Sequence, residues 1–284
     1  MPLTSLHNRK AFLTGAASGI GRATALAAAA EGAELFLTDL QESRLDQVVA
    51  DIGDTGGRVA YAKPADVASF EAVRALADEI HAEHGSMDVV MNIAGISTWG
   101  TIDRLTHEHW RRTIDIDLMG PIHVMECFVP PMIEAGRGGQ LVNVSSAAGL
   151  FGLPWHAPYS AAKFGLRGVS EVLRFDLAQH GIDVTLICPG AVNTPLVDTV
   201  DIVGVDRDSP DVRELVGRFQ RHAVSPEQAA AAIMRGLRSR RHLVYTSRDI
   251  ALGHWWQRKF TPAYDIAMRY LNRRVSKVAE RHER

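Results

Sequence analysis

The chain has 284 residues, 46% of them hydrophobic and 23% charged, with a formal net charge of −2. That is enough apolar material to bury the core of one domain, and the near balance of charge excludes the single-sign field of a nucleic-acid-binding surface. Cys127 and Cys188 form no C-x-x-C pair and suggest no disulfide framework, so a reducing, cytoplasmic setting is expected.

The opening MPLTSLHNRK holds no apolar leader, and no run of 18 or more apolar residues follows anywhere. Strand-like and helical patterns then alternate: KAFLT before GIGRATALAAAAEG, ELFLT before ESRLDQVVADIG, RVAYA before FEAVRALADEIHAEHG. The alternation continues through MDVVMN, GQLVNVS, DVTLICPG and HLVYT. Strands that are apolar throughout and separated by helices predict a parallel sheet covered on both faces. Long helices are expected from about Thr106 to Ala135, kinked at Pro121, and from Ala157 to His180. Histidines are scattered, and His107 and His109 lack the spacing of a zinc motif, so no metal is expected. A helical insertion is expected between Pro195 and about Val224.

Residues 1–247 are read as one domain, and 248–284 as a basic extension with nine Lys/Arg against four Asp/Glu. In the extension Tyr264, Ala267, Met268, Leu271, Val275 and Val278 recur at helical spacing after Pro262. An amphipathic helix of this kind packs on its own domain or on a neighbouring subunit. The alternative is peripheral contact with a membrane surface through HWWQRKF at 254–260.

Gly15, Gly19 and Gly21 lie between the first strand and the first helix. Glycines there let main-chain N–H groups approach a pyrophosphate at the positive end of that helix. Asp39 ends the second strand, eighteen residues after Gly21, where a carboxylate accepts hydrogen bonds from adenosine ribose hydroxyls and repels a 2′-phosphate. This favours NAD over NADP; the plainer alternative is that Asp39 caps the next helix. Further on, Tyr159 and Lys163 stand one helical turn apart in YSAAK and share a face. Taken alone, the pair also fits a packed ring beside a solvated amine.

Together, TGAASGIG (14–21), DV (66–67), NIAG (92–95), NVSS (143–146), YSAAK (159–163) and PGAVNTP (189–195) resemble the short-chain dehydrogenase/reductase family over residues 8 to about 247. The resemblance implies a doubly wound Rossmann fold with a seven-stranded parallel sheet in the order 3-2-1-4-5-6-7, to which the C-terminal helical extension is added. It implies hydride transfer between a nicotinamide cofactor and an alcohol or carbonyl. Tyr159 would be the general base or acid, Ser146 would hydrogen-bond the substrate oxygen, and Lys163 would hold the nicotinamide ribose and favour the phenolate. A free tyrosine, with a pKa of about 10, ionises too little at neutral pH without such help.

By the same resemblance Gly15, Ser18, Gly19, Ile20, Gly21, Asp66, Val67, Asn92, Ala94 and Gly95 line the cofactor with Asp39, Tyr159 and Lys163. Pro189, Gly190, Val192 and Thr194 meet its nicotinamide end. Homodimers or homotetramers formed through the two long helices are implied as well. One departure stands out: IDIDLMG places Asp117 where the family often has an asparagine whose main-chain carbonyl holds a relay water. Asp117 is expected to keep that relay and to steady Lys163 as a cation.

The loops after the fourth, fifth and sixth strands carry Trp99, Leu150, Phe151, Leu153, Trp155, Leu196 and Val197. Such a wall suits a small hydrophobic secondary alcohol or ketone. His156 either orients a polar substrate group or serves as a rim or helix-capping residue. Two other functions compete. A 3-oxoacyl thioester reductase would prefer NADPH, against Asp39; a non-catalytic dinucleotide-binding protein would have no use for an intact Ser146, Tyr159 and Lys163.

Overall fold

The computed structural model describes residues 5–195, 200–204, 217 and 223–280. Strand β1 (Lys10–Thr14) leads into α1 (Gly19–Ala30), followed by β2 (Glu34–Asp39), α2 (Glu42–Asp54), β3 (Arg58–Pro64), α3 (Phe70–His84) and β4 (Val89–Asn92). The chain continues through β5 (Thr98–Trp99), α4 (His107–Ile114), α5 (Gly120–Ala135), β6 (Gly139–Val144), α6 (Ala157–Asp176), β7 (Ile182–Cys188) and β8 (Asp201–Ile202). It ends in α7 (Pro226–Ser239), β9 (Leu243–Tyr245), α8 (Arg248–Lys259) and α9 (Thr261–Glu280).

Seven strands pair in parallel in the order β3-β2-β1-β4-β6-β7-β9, while β5 and β8 form a separate two-stranded ribbon. This is the expected doubly wound order once the ribbon's two strands are counted. Alternation along the strands divides the core into two layers. Ala11, Leu13, Leu35, Leu37, Val89 and Met91 face one layer, and Phe12, Phe36, Val90 and Leu141 face the other. The order reverses between β1 and β4, so the loops at their carboxyl ends diverge and leave a crevice there.

A polar chain crosses the second layer. Asn92 Nδ2 donates to Asn143 Oδ1 at 2.8 Å, Asn143 Nδ2 to Ser170 Oγ at 2.9 Å, and Ser170 Oγ to the Leu166 carbonyl at 2.7 Å. It ties β4 and β6 to α6, the helix that carries Tyr159 and Lys163.

One expected helix is broken. Between α4 and α5 the backbone takes one wide π-helical turn over Asp115–Met119. The break precedes Pro121 and has its cause in it: an α-helix would use the residue 121 N–H to satisfy the Asp117 carbonyl, and proline has none. In the C-terminal extension the expected helix after Pro262 is α9, unbroken, and α8 is an additional helix before it, the two separated at Phe260 (φ −130°, ψ 57°). Of the expected insertion, most lies outside the described residues. Among the described residues no helix is long and apolar enough to cross a membrane.

Phe128 stacks on Phe12 with ring centroids 4.1 Å apart, and both are buried. Truncation to Phe128→Ala removes the ring that joins α5 to the central strand, and is expected to lower unfolding free energy by about 3–5 kcal/mol in urea titration.

Candidate active site

The crevice is built on the β1–α1 turn. Gly15 has φ +68°, and a Cβ there would sit 2.7 Å from the Ala94 Cα; a Cβ on Gly21 would reach 1.9 Å from the Gly15 carbonyl oxygen. The turn therefore closes against itself and against the β4 loop only without side chains. Thr14 Oγ1 accepts from the N–H groups of Ile93 and Ala94 at 3.1 and 3.2 Å, fixing the two loops together.

Gly15, Ser18, Gly19, Ile20, Gly21, Asp39, Asp66, Val67, Ala94, Gly95 and Thr194 all line this crevice, as expected for residues that hold a dinucleotide. Leu40, Gln41, Ala65, Ile93, Ile96 and Ile116 line it too. All but Gln41 adjoin an assigned position, so extending every motif by one residue would have found five of the six; Gln41 lies two residues beyond Asp39. The Asp39 carboxylate accepts from the Ala17 N–H at 3.0 Å and the Gln41 N–H at 2.9 Å, and its remaining lone pairs are available to ribose hydroxyls. Among the described residues lining the crevice none is Lys or Arg. Asn92 is buried against Asn143, where it joins strands, and is not part of the lining, nor are Tyr159, Lys163, Pro189, Gly190 and Val192.

Toward the other end, Val192 bridges Val224, and the Pro189 carbonyl accepts from Ala147 N–H at 2.7 Å. Gly190 N–H donates to Thr246 Oγ1 at 3.3 Å. These contacts hold the turn after β7 beside Ser146.

Ser145 and Ser146 separate as strand alternation requires. Ser145 is buried and donates to the Lys163 carbonyl at 2.9 Å; Ser146 remains partly exposed, with its Oγ accepting from Ala148 N–H at 3.1 Å. Tyr159 and Lys163 rise from the first turns of α6, with the Lys163 Nζ 5.6 Å from the centre of the phenol ring. The amine is buried, donates to the Val144 carbonyl at 3.2 Å, and lies 3.8 Å from Asp117 Oδ2. The carboxylate's other oxygen accepts from Ile96 N–H at 2.8 Å.

Asp117 is fully buried, and burial pushes its carboxyl up to about 6, although Lys163 and the Ile96 N–H pull the other way. The Tyr159 phenol is held above its ordinary value, first by burial and then by the Asp117 charge, while the Ser146 hydroxyl acts in the opposite sense. Lys163 here serves the carbonyl and the carboxylate, so its charge is shared before it reaches the phenol. Gly95 makes room for this: a Cβ would stand 2.9 Å from Asp117 Oδ1 and 3.3 Å from Lys163 Nζ.

The expected apolar wall is divided. Phe151 turns away to pack with Leu150, Leu186, Cys188 and Ile250, and against Gly253 of α8, because that glycine leaves a space its ring fills. Trp155 instead joins Trp99, Val200 and Ile202 under the β5–β8 ribbon, with its backbone at φ +66°. Leu153 is partly exposed, and Leu196 and Val197 lie outside the described residues. His156 precedes α6 without capping it by its side chain. Its ring stacks on Trp99 at 4.4 Å and sits 6.3 Å from the Tyr159 ring. Nδ1 lies 2.6 Å from the Pro154 carbonyl, so it carries the proton, and burial holds the ring neutral with Nε2 as an acceptor.

Sequence patterns had no means of finding two further neighbours. Tyr264 Oη accepts from Gly152 N–H at 2.8 Å across 112 residues, and Ile250 fills the space beside Gly190. Both bring the C-terminal extension onto loops that border the site. Among the described residues no cluster of His, Cys, Asp and Glu could hold a metal ion.

Comparison with known proteins places this arrangement. The family described as short chain dehydrogenase matches residues 9–202. Probable oxidoreductase EphD of Mycobacterium tuberculosis is 36% identical over 233 residues, which is 81% of this chain but 39% of that protein, so the chain spans about two fifths of its length. The 2,5-dichloro-2,5-cyclohexadiene-1,4-diol dehydrogenase of Sphingobium indicum is 34% identical over 237 residues, covering 81% of this chain and 90% of its own. A crystal structure of a short chain dehydrogenase/reductase from Burkholderia phymatum in complex with NAD superposes with a TM-score of 0.82 at 25% identity, over 91% of this chain and 96% of that one. The matched span holds both the glycine turn and YSAAK, and the chain therefore belongs to the short-chain dehydrogenase/reductase family of oxidoreductases.

Proposed function

We propose that the protein is an NAD-dependent dehydrogenase that interconverts a small hydrophobic secondary alcohol and its ketone. The observation that carries this reading is the placement of Ser146, Tyr159 and Lys163 beyond the nicotinamide-side turn of a crevice that ends, at its other side, in Asp39. The crevice suits a dinucleotide, since its glycines let the β1–α1 turn close on itself and on the β4 loop, which sets the start of α1 against the crevice. Bound NAD supplies the hydride acceptor. In oxidation Ser146 holds the substrate oxygen and Tyr159 takes the hydroxyl proton; in reduction Tyr159 returns it. Lys163 holds its positive charge near the phenol. The Asp117 carbonyl, deprived of its α-helical donor by Pro121, supports a water leading from Lys163 to solvent.

NAD is preferred because a 2′-phosphate at this ribose would meet the Asp39 carboxylate with no basic residue among the described lining to offset it. The apolar surroundings of Trp99, Trp155 and Ile202 favour an uncharged substrate, and the diol dehydrogenase relative acts on an alicyclic alcohol by its name. A second copy of the chain would cover the outer face of α6, where Phe164, Val172 and Phe175 are exposed and Gly168 leaves open space. A cytoplasmic location agrees with the free thiols of Cys127 and Cys188.

Three measurements test the reading. With a panel of alicyclic alcohols, Tyr159→Phe is expected to lower kcat by roughly 10²–10⁴-fold while NADH still binds; undiminished turnover would remove Tyr159 from the chemistry. Asp39→Arg is expected to lower kcat/KM with NAD by about tenfold or more, and to raise it with NADP. In Asp117→Asn the negative charge that opposes the phenolate is gone, so the rise of oxidation rate with pH should move to lower pH. Since Asp117 titrates at about 6, the two profiles should differ most above that value; coincident profiles would show that its charge does not reach Tyr159.

A further inference from the structure

We propose that the outer face of α8 and the start of α9 is a docking surface for an anionic phospholipid membrane. The inner face of α8 is occupied. His254 is buried, with Nδ1 2.8 Å from Tyr245 Oη; Gly253 lies on Phe151, and Ile250 on Gly190. On α9, Tyr264 is tied to Gly152. These contacts fix which side of each helix is left outside.

That outer side is apolar and basic at once. Leu252 is 65% exposed, Trp255 54%, Phe260 49% and Ile266 70%. The rings of Trp255 and Phe260 lie 6.0 Å apart, edge to face. Arg248, Leu252, Trp255 and Lys259 follow one another at helical spacing on a single stripe, so cations flank the apolar side chains at both ends. Exposed Arg258 adds another at the same end, and Ile266, Arg269 and Arg273 repeat the pattern on α9.

Cations interleaved with large apolar groups suit a headgroup layer, where the charges stay in the hydrated zone while Trp, Phe and Leu enter the acyl boundary. Arginine and aromatic residues also occur at protein–protein interfaces, so the choice of a membrane rests on the cations ringing exposed aliphatic and aromatic side chains together with the charge of the extension. A second copy has a better face available on α6, where Phe164, Val172 and Phe175 project with Gly168 between them. The whole-chain charge adds a direction. Residues 248–284 hold nine Lys/Arg against four Asp/Glu, a local +5, so the remaining residues carry −7 of the total −2. An anionic surface attracts the extension and repels the body, which orients the protein with this face toward the lipid. None of this depends on which alcohol the enzyme uses.

The test is co-sedimentation of the full-length protein with vesicles of phosphatidylcholine alone, or with one third phosphatidylglycerol, at low and high salt. Binding is expected with the anionic vesicles, weaker binding without phosphatidylglycerol, and release by salt. The paired substitution Leu252→Ser with Trp255→Ser should lower the anionic partition by roughly tenfold or more, and Arg258→Glu with Lys259→Glu should abolish the preference for anionic lipid. Circular dichroism melting checks that each variant is folded. Absence of binding to anionic vesicles, or binding unchanged in both folded variants, overturns the proposal. A smaller mass of the Leu252/Trp255 variant in solution light scattering also overturns it, by assigning the face to a second copy.

Discussion

The buried amine of Lys163 is the point on which the site depends. It belongs to α6, accepts its position from the Val144 carbonyl at the end of β6, and faces the Asp117 carboxylate in the turn before α5. Asp117 in turn holds the loop after β4 through Ile96 N–H. Four segments remote in sequence therefore meet around one positive charge. An amine and a carboxylate this deeply buried are costly to take out of water, and the arrangement persists because each keeps a partner.

The same constraint explains features that look unrelated. The wide turn at Asp115–Met119 brings the carboxylate to the amine's level; a regular helix through this stretch would place its residues differently. Pro121 makes the turn affordable by removing a donor that the regular helix would require. Gly95 is small because any side chain would press on both charged groups. The Asn92–Asn143–Ser170 chain ties α6 to the sheet, so that the helix bearing Tyr159 and Lys163 is held by hydrogen bonds as well as by packing. Electrostatics at the phenol then reflect a balance in which burial and Asp117 oppose ionisation and Ser146 favours it.

The C-terminal extension lies beyond the residues matched by the short chain dehydrogenase family. Its inner contacts reach Gly152 and Gly190, on the loop after Ser146 and the turn after β7. Loops with few internal contacts take their shape from what lies over them. A tyrosine hydroxyl from α9 and an isoleucine from α8 thus supply part of the order that these loops need, and Phe151 is drawn toward α8 by the space over Gly253.

Much of this was legible in the residues themselves. The parallel sheet follows from short apolar strands alternating with helices; the glycine turn, Asp39 and YSAAK are local, because each depends on spacing within one strand–turn–helix unit. Ser146 came from the family resemblance, and the two-residue period of a strand sends its neighbour Ser145 to the opposite face. What tertiary structure decided was every feature that joins distant segments: that Asn92 faces Asn143 and not the crevice, that Phe151 and Trp155 part company, and that Tyr264 reaches Gly152. Periodicity tells which side of an element is apolar, but the partner that covers it is set by how the elements stack. The sequence alone therefore determined the sheet, the glycine turn and the Tyr159–Lys163 face, because their physics is local; the shape of the substrate side came only from packing, because it is assembled from loops whose conformation their neighbours impose.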